Sequence, residues 1–282
     1  MLDEKALGKR LQAMRRQKGF TQQTLCQQAS LSYSTLAKIE RGAIKSPSIF
    51  TVVSIAQAMG ISLDELLGLS STPDTPVTMR RTKSGVSFIY FDMNDTLLRG
   101  SQRGFTLLAE RSGVSPDNIE TLFWHHNDAL NRGTMSMADF NELLSHRLGM
   151  AVSWPDVYFE AAERIEPMQE LLKWAAGLYR VGLMTNTMPG LVSGLRERGL
   201  LPDVPYASIV DSSEMGIGKP EPKAYELAQE RAGVPAEQIM LIDDSRANVV
   251  AAEQQGWHVA RFDGYRAEES VQRIRMALEP AE

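Results

Sequence analysis

Four short apolar runs in this chain of 282 residues each end on a polar side chain. Phe88-Ile-Tyr-Phe91 leads into Asp92, Val181 to Met184 into Thr185, Ala207 to Val210 into Asp211, and Ile239 to Ile242 into Asp243-Asp244. Helical stretches at Leu191 to Arg198, Lys223 to Ala232 and Asn248 to Gln255, each followed by Gly, lie among them. Such alternation is what an open parallel α/β sheet requires. Ligands of these sheets bind at the carboxyl ends of the strands. Asp92, Thr185, Asp243 and Asp244 are therefore expected to converge there.

Before residue 70 the pattern is helical throughout. Leu7, Leu11 and Met14 recur at helical spacing, and Lys9, Arg10, Arg15 and Arg16 decorate the rest of a first helix that ends at Gly19. Thr21 is placed to cap a helix over Gln22 to Ala29, and Ser32 to cap another through Glu40, stopped by Gly42. Two short helices around Ser30-Leu31-Ser32 make a helix-turn-helix. Ile49, Val52, Val53, Ile55 and Ala56 predict a fourth helix. A fifth begins at Ser62, its N-cap, with Glu65 three residues on.

The expected organisation is a five-helix all-α domain over 1–69, a linker over 70–85, and an α/β domain over 86–282; the length suits two domains. The linker reading rests on Ser70-Ser-Thr-Pro-Asp-Thr-Pro76 and the basic Arg80, Arg81 and Lys83. Charge divides at the same place. Residues 1–85 carry 12 Lys/Arg against 6 Asp/Glu, whereas the remainder carries 18 against 29 within a chain whose net charge is −5. A basic front end joined to an acidic remainder is expected when one part meets a polyanion and the other does not. Cys26, the only cysteine, can form no internal disulfide, and no Cys/His cluster offers a closed zinc site. The start lacks an apolar secretory core, and no segment reaches 18 uninterrupted apolar residues. Cytoplasmic location without membrane contact is the expectation.

Carboxylates gathered with Lys219 make a site suited to Mg²⁺, which prefers oxygen ligands and takes further ones from a phosphate. Asp92 there is a candidate nucleophile that forms an acyl phosphate. Thr185 would donate a hydrogen bond to a phosphoryl oxygen and Lys219 would neutralise its charge. Each residue alone is ordinary, since a strand-end Asp is often a turn residue. Their order along the chain, each at a strand end, gives them weight.

Thr21-Gln22 to Leu25, Ser32-Tyr33-Ser34-Thr35-Leu36-Ala37-Lys38-Ile39-Glu40-Arg41-Gly42, Pro47-Ser48 and Ile61 to Leu67 resemble the Cro/repressor-like (XRE) DNA-binding family across residues 5–68. The resemblance implies that the helix after the turn enters the major groove, with Tyr33, Ser34 and Lys38 facing base edges. It implies phosphate contacts from Gln22, Thr35, Arg41 and Lys45. Cys26 stands where that family usually has a small buried residue, which argues against a reactive thiol.

Phe91-Asp92-Met93-Asn94-Asp95-Thr96-Leu97, Leu183-Met184-Thr185-Asn186, Gly218-Lys219-Pro220-Glu221-Pro222 and Leu241-Ile242-Asp243-Asp244-Ser245-Arg246-Ala247-Asn248 resemble the four ordered motifs of the haloacid dehalogenase (HAD) superfamily, over 86 to about 265. The resemblance implies a Rossmann-like core. Asp92 would be nucleophile and Mg²⁺ ligand, the carbonyl of Asn94 a second ligand, and Asp244 a third with Asp243 beside it. Thr185 and Asn186 would bind phosphate, bridged to Asp92 by Lys219. It also implies a helical cap over about 100–170. Arg132 to Phe140 followed by Trp154-Pro is similar to the cap of the branch containing sugar-phosphate phosphatases. Trp124, His125, His126 and Arg132 are the cap candidates for substrate contact, with Arg132 a phosphate ligand, although ordinary packing is the simpler reading for each histidine.

One departure separates the chain from most phosphatases of that superfamily. They carry Asp two residues after the nucleophile, to protonate the leaving oxygen and then activate water. This chain has Asn94, and an amide cannot shuttle that proton. Loss of positioned acid–base help costs ~10²- to 10⁴-fold. The expected protein is a cytoplasmic, homodimeric transcriptional regulator that binds double-stranded DNA at a near-palindromic operator. Its second domain would bind, and at most slowly hydrolyse, a small phosphorylated metabolite. The competing expectation is an active Mg²⁺-dependent metabolite phosphatase tethered or oligomerised by its helix-turn-helix; a structural HAD fold with an empty site is a third, disfavoured by the intact Lys219 and Asp243-Asp244.

Overall fold

The computed structural model describes residues 4–44, 46–61, 63, 66 and 80–281, which fall into two compact units, one on each side of residues 70–79. The first contains α1 (Glu4–Gln17), α2 (Gln22–Gln28), α3 (Tyr33–Glu40) and α4 (Ile49–Met59). Its caps follow from the hydroxyl residues. Thr21 and Thr24 form a reciprocal capping box, while Ser32 and Ser48 accept from the backbone N–H of Thr35 and Thr51. Leu11, Leu25, Leu36, Ile55 and Leu66 are buried at its centre. Gly8 lets α1 approach α3 closely, since a Cβ there would stand 2.3 Å from the Ile39 carbonyl oxygen. Of the expected fifth helix only Leu63 and Leu66 are described, both helical. Ser62, Glu65, Lys45 and linker residues 70–79 lie outside the described residues.

Arg15 departs from the expectation of a solvated helix face. It is buried against Glu40, with Nε 2.6 Å from Oε1 and Nη2 3.1 Å from Oε2, while Nη1 donates to the Phe20 carbonyl. Helical spacing assigns a face, but Glu40, twenty-five residues away, makes burial of this guanidinium tolerable.

The second unit runs β1 (Phe88–Phe91), β2 (Leu98–Arg99), α5 (Ser101–Ser112), α6 (Pro116–Asn131), α7 (Met137–Leu148), α8 (Trp154–Ala161), β3 (Glu163–Arg164), α9 (Glu166–Ala176), β4 (Arg180–Thr185), α10 (Leu191–Glu197), β5 (Tyr206–Asp211), α11 (Ser212–Met215), α12 (Pro222–Ala232), β6 (Ile239–Asp243), α13 (Arg246–Gln254), β7 (His258–Arg261) and α14 (Ala267–Ala277). Five strands form one parallel sheet in the order β5-β4-β1-β6-β7. β1, β4 and β6 are almost wholly buried, and β1 lies at the centre with Asp92 just beyond its end. The edge strand β7, His-Val-Ala-Arg, has no apolar run to announce it.

The four helices α5 to α8 form the cap. They leave the core after β2 and return through β3, and these two short strands pair antiparallel, Leu98 opposite Arg164 and Arg99 opposite Glu163. Exit and re-entry are thus tied together, and the inserted helices fold as a module above the sheet edge. Phe105, Phe123, Phe140 and Trp154 are all buried, and Phe123 lies at ring-centroid distances of 4.9 to 6.0 Å from the other three. Burying a side chain of that size contributes about 1.5 to 3 kcal/mol.

Residues 80–85, expected as linker, belong to this second unit. Thr82 is buried and bridges to Pro280, the Lys83 N–H donates to the Glu279 carbonyl at 3.0 Å, and the Ala281 N–H donates to the Arg81 carbonyl at 2.8 Å. Their polar composition reads as linker because the strand-like partner comes from the far end of the chain. Among the described residues, no helix is long and apolar enough to cross a membrane.

Candidate phosphoryl site and candidate nucleic-acid interface

The carboxyl ends of β1, β4 and β6 bring together the residues expected there. The Lys219 ammonium is buried between two carboxylates, 2.7 Å from Asp92 Oδ1 and 2.5 Å from Asp243 Oδ2. Asp243 also accepts from the Ser245 N–H at 2.9 Å and from Asn248 Nδ2 at 3.0 and 3.1 Å. Its oxygens are therefore occupied within the protein. Asp244 is half-buried beside them, and one carboxylate oxygen from each of Asp92, Asp243 and Asp244 lies within 4.8 Å of the others. Burial, opposed by Lys219 and reinforced by Asp243 and Asp244, pushes the Asp92 carboxyl up to about 7. Burial together with Asp243 and Asp95 pushes Asp244 up to about 6. For Lys219 burial acts downward, yet the two carboxylates outweigh it and hold the ammonium charged.

Lys219 owes its position to Asn186. The Asn186 amide accepts from the Lys219 N–H at 2.8 Å and donates to the Lys219 carbonyl at 2.6 Å. Glycine is needed alongside, because a Cβ on Gly218 would stand 2.5 Å from Asn186 Oδ1. Thr185 ends β4 at the same edge, and its buried hydroxyl has no hydrogen-bond partner. An all-oxygen donor set with surplus negative charge, next to an orphaned hydroxyl, fits a hard divalent cation and a phosphoryl group.

Asn94 is fixed at both ends. Its Nδ2 donates to the Asn186 carbonyl at 3.1 Å, and its Oδ1 accepts from the Tyr158 hydroxyl of the cap at 2.7 Å. Tyr158 is buried, and burial together with Asp95 and Asp92 raises its phenol above the ordinary value. Asp95 takes up a left-handed backbone conformation, φ 57°, in the tight turn where its N–H donates to the Leu98 carbonyl.

A cleft of about 1000 Å³ separates core and cap, lined by Asp92, Asn94, Asp95, Lys219, Asp244 and Asn186 from the core. From the cap come Trp124, Asn127 and Asn131 on α6, Gln102, Arg103 and Thr106 on α5, and Tyr158 on α8. Helical geometry explains which α6 residues face it, since 124, 127 and 131 follow i, i+3, i+7 spacing. His125 and His126 turn away, pack edge to face at 4.9 Å, and do not line the cleft; His126 also lies against Phe140. Arg132 also lies elsewhere than expected. Its guanidinium pairs with Asp128 and with Glu221 at 3.0 Å, because the chain turns out of α6 at that residue. Tyr158, Asn127, Asn131 and Asn248 were not singled out from the sequence. Asn248, at the end of the stretch Leu241 to Asn248, is the legible one of the four.

In the first unit, α3 presents Tyr33, Ser34 and Lys38 to solvent, while Leu36, Ile39 and Glu40 face inward. Thr35 and Ser34 hydroxyls lie 2.8 and 3.0 Å from Ser32 Oγ. Arg41 is exposed just past the helix, and its Nε donates to the Ala37 carbonyl. Gln22, expected at phosphate, donates from Nε2 to Glu40 Oε2 at 2.8 Å. Lys45 lies outside the described residues.

A parallel sheet with a buried aspartate–lysine cluster at its edge and a helical cap above defines a capped, Rossmann-like α/β domain, here preceded by a helix-turn-helix. Residues 87–256 match the haloacid dehalogenase-like hydrolase family, and the chain belongs to it. Residues 11–66 match a helix-turn-helix family. The chain is 34% identical over 76 residues to an uncharacterized HTH-type transcriptional regulator, y4dJ, of Sinorhizobium fredii, which covers 27% of this chain and 95% of that protein. It is 39% identical over 62 residues to an immunity repressor protein of Bacillus phage phi105, across 22% of this chain and 42% of the repressor. The HAD family enzyme bt-2542 of Bacteroides thetaiotaomicron, solved with magnesium and inorganic phosphate, shares the fold. Its TM-score is 0.55 at 20% identity, over 64% of this chain and 96% of that one.

Proposed function

We propose that the protein is a homodimeric DNA-binding transcriptional regulator whose HAD-like domain binds a small phosphorylated metabolite. The observation that carries this reading is the Asp92–Lys219–Asp243 cluster under a polar cap, in a chain whose helix-turn-helix leaves Tyr33, Ser34 and Lys38 exposed. On this reading α3 enters the major groove of a near-palindromic operator, one copy per half-site. Arg41, Thr35 and Lys45 meet phosphates, as does Gln22 once its remaining N–H is considered.

In the cleft, Asp92, Asp244 and the Asn94 carbonyl would hold Mg²⁺. When bound, the ion would screen the negative charge of the phosphoryl group and of the carboxylates. Thr185 and Asn186 face the phosphoryl oxygens on this reading. Lys219 holds a positive charge beside Asp92, and Asp243 serves chiefly to anchor Lys219, since its oxygens are already engaged. Cap residues Trp124, Asn127 and Asn131 select the organic part of the ligand.

The test is selection from a genomic DNA library with and without a panel of sugar phosphates and nucleotides. A regulator selects a two-half-site sequence at nanomolar protein, and a ligand of the second domain changes the yield. The competing reading, a metabolite phosphatase with the helix-turn-helix as a tether, draws support from the clustered carboxylates of Asp92, Asp243 and Asp244 and expects turnover with no selected DNA sequence.

A further inference from the structure

Resting on the reading of Asp92 as nucleophile, we propose that the locked Asn94 restricts this site to phosphoryl donors whose leaving group departs without a proton, acyl phosphates first among them. A phosphoryl group so acquired then persists on Asp92.

The inference comes from counting protons at the mouth of the nucleophile. Attack by an Asp92 carboxylate oxygen forms a new P–O bond, and the bond from phosphorus to the leaving oxygen breaks with its electron pair on that oxygen. An alkoxide is as basic as hydroxide, whose conjugate acid has a pKa of about 15.7, and needs a proton as it leaves. A carboxylate, with conjugate acid near about 4, needs none. Asn94 stands two residues from Asp92, with its amide hydrogen bonded to the Asn186 carbonyl and its oxygen already taken by the Tyr158 hydroxyl. Neither an amide nor a phenol whose own proton is committed to that amide can serve as the acid. The same two groups fail in the second half-reaction, where water attacking the phosphorus must lose a proton to a base. Tyr158 is a positioning residue here, since it acts through Asn94. Of the other carboxylates that line the cleft, Asp244 is read as a metal ligand, Glu163 pairs with Arg103 at 2.9 Å, and Asp95 and Glu110 are exposed, Asp95 in its left-handed turn.

The experiment uses the full-length protein with Mg²⁺ and compares acetyl phosphate with glycerol 3-phosphate, read by intact mass and by release of inorganic phosphate. Binding of inorganic phosphate is measured by calorimetry in parallel, in wild type and Lys219→Ala. The expected result is a single phosphoryl adduct from acetyl phosphate, absent in Asp92→Asn, with no adduct or turnover from glycerol 3-phosphate. Asn94→Asp should shorten the adduct lifetime and open glycerol 3-phosphate hydrolysis, each by ~10²- to 10⁴-fold. Wild-type hydrolysis of glycerol 3-phosphate at the rate of Asn94→Asp would overturn the proposal, and its loss in Asp95→Asn or Tyr158→Phe would identify the proton donor instead. Phosphate binding without an adduct from either donor overturns it too, while leaving the phosphate-binding reading standing. Absence of phosphate binding removes that reading and this proposal with it.

Discussion

Each unit of this protein buries an ionic cluster, and the two are built to different ends. In the helical unit Arg15 and Glu40 neutralise each other, and Gln22 and the Phe20 carbonyl take up further hydrogen-bonding capacity. In the α/β unit one ammonium lies between Asp92 and Asp243, with Asp244 beside them on an open cleft and an unpartnered Thr185 hydroxyl at the same sheet edge. The first cluster is closed and serves the fold. The second carries surplus negative charge and a buried hydroxyl without a hydrogen-bond partner, the imbalance on which the proposed ligand site rests. Burial of charge alone does not separate the two; the balance of charge and partners does.

That contrast can be broken most severely at Asp92. Asp92→Asn should reduce any Mg²⁺-dependent phosphoryl transfer to background, measured by phosphate release, while DNA binding by isolated protein at saturating concentration stays intact. Next comes the closed cluster. Glu40→Ala leaves Arg15 buried without its counter-charge and should cost the helical unit about 3 to 5 kcal/mol, read as an early transition in denaturant melts, with the α/β transition unmoved.

A third test separates base from backbone contacts on the exposed helix. Lys38→Ala should cost about 1 to 3 kcal/mol of operator affinity and relax sequence choice, whereas Arg41→Ala should weaken all DNA alike and flatten the salt dependence. Unchanged footprints in both variants would remove the major-groove assignment of α3.

Acid should also distinguish the clusters. Burial acts to raise Glu40, but the Arg15 and Gln22 hydrogen bonds prevail and hold it below the ordinary glutamate range. A depressed carboxylate contributes stability that is present above its unfolded value, about 4.3, and lost as pH falls through the folded value. The helical unit should therefore soften in acid below that range, seen as a falling first transition in thermal melts. Glu40→Gln should flatten the dependence. The smallest effect is expected from an exposed pair, Lys83 with Glu279: Lys83→Ala should shift stability by no more than about 1 kcal/mol.

Much of this architecture is legible in the sequence. The run Phe88–Phe91 is β1 residue for residue, and the other three apolar runs are one or two residues shorter than β4, β5 and β6. Thr21 and Ser32 cap the helices they were expected to cap. The strand-end Asp92, Thr185, Asp243 and Asp244 stand at one sheet edge, because parallel topology leaves them no other place. Such features depend on neighbours a few residues away, through 3.6-residue periodicity, hydroxyl caps and runs of apolar side chains. They act within one element, so one element's sequence displays them.

Pairings between distant segments were decided by the tertiary structure. Arg15 looks like a surface charge until Glu40 arrives from α3, and residues 80–85 look like linker until the chain's last residues pair with them. Arg132 looks like a phosphate ligand until the turn out of α6 gives it to Asp128 and Glu221. Asn94 is readable as a lost acid, but its immobilisation by Tyr158, sixty-four residues on and in the cap, is not. The physical reason is the same in each case. Whether a polar group is satisfied, free or charged in the interior depends on which atoms the topology sets within about 3 Å of it, and local sequence carries no record of that distance.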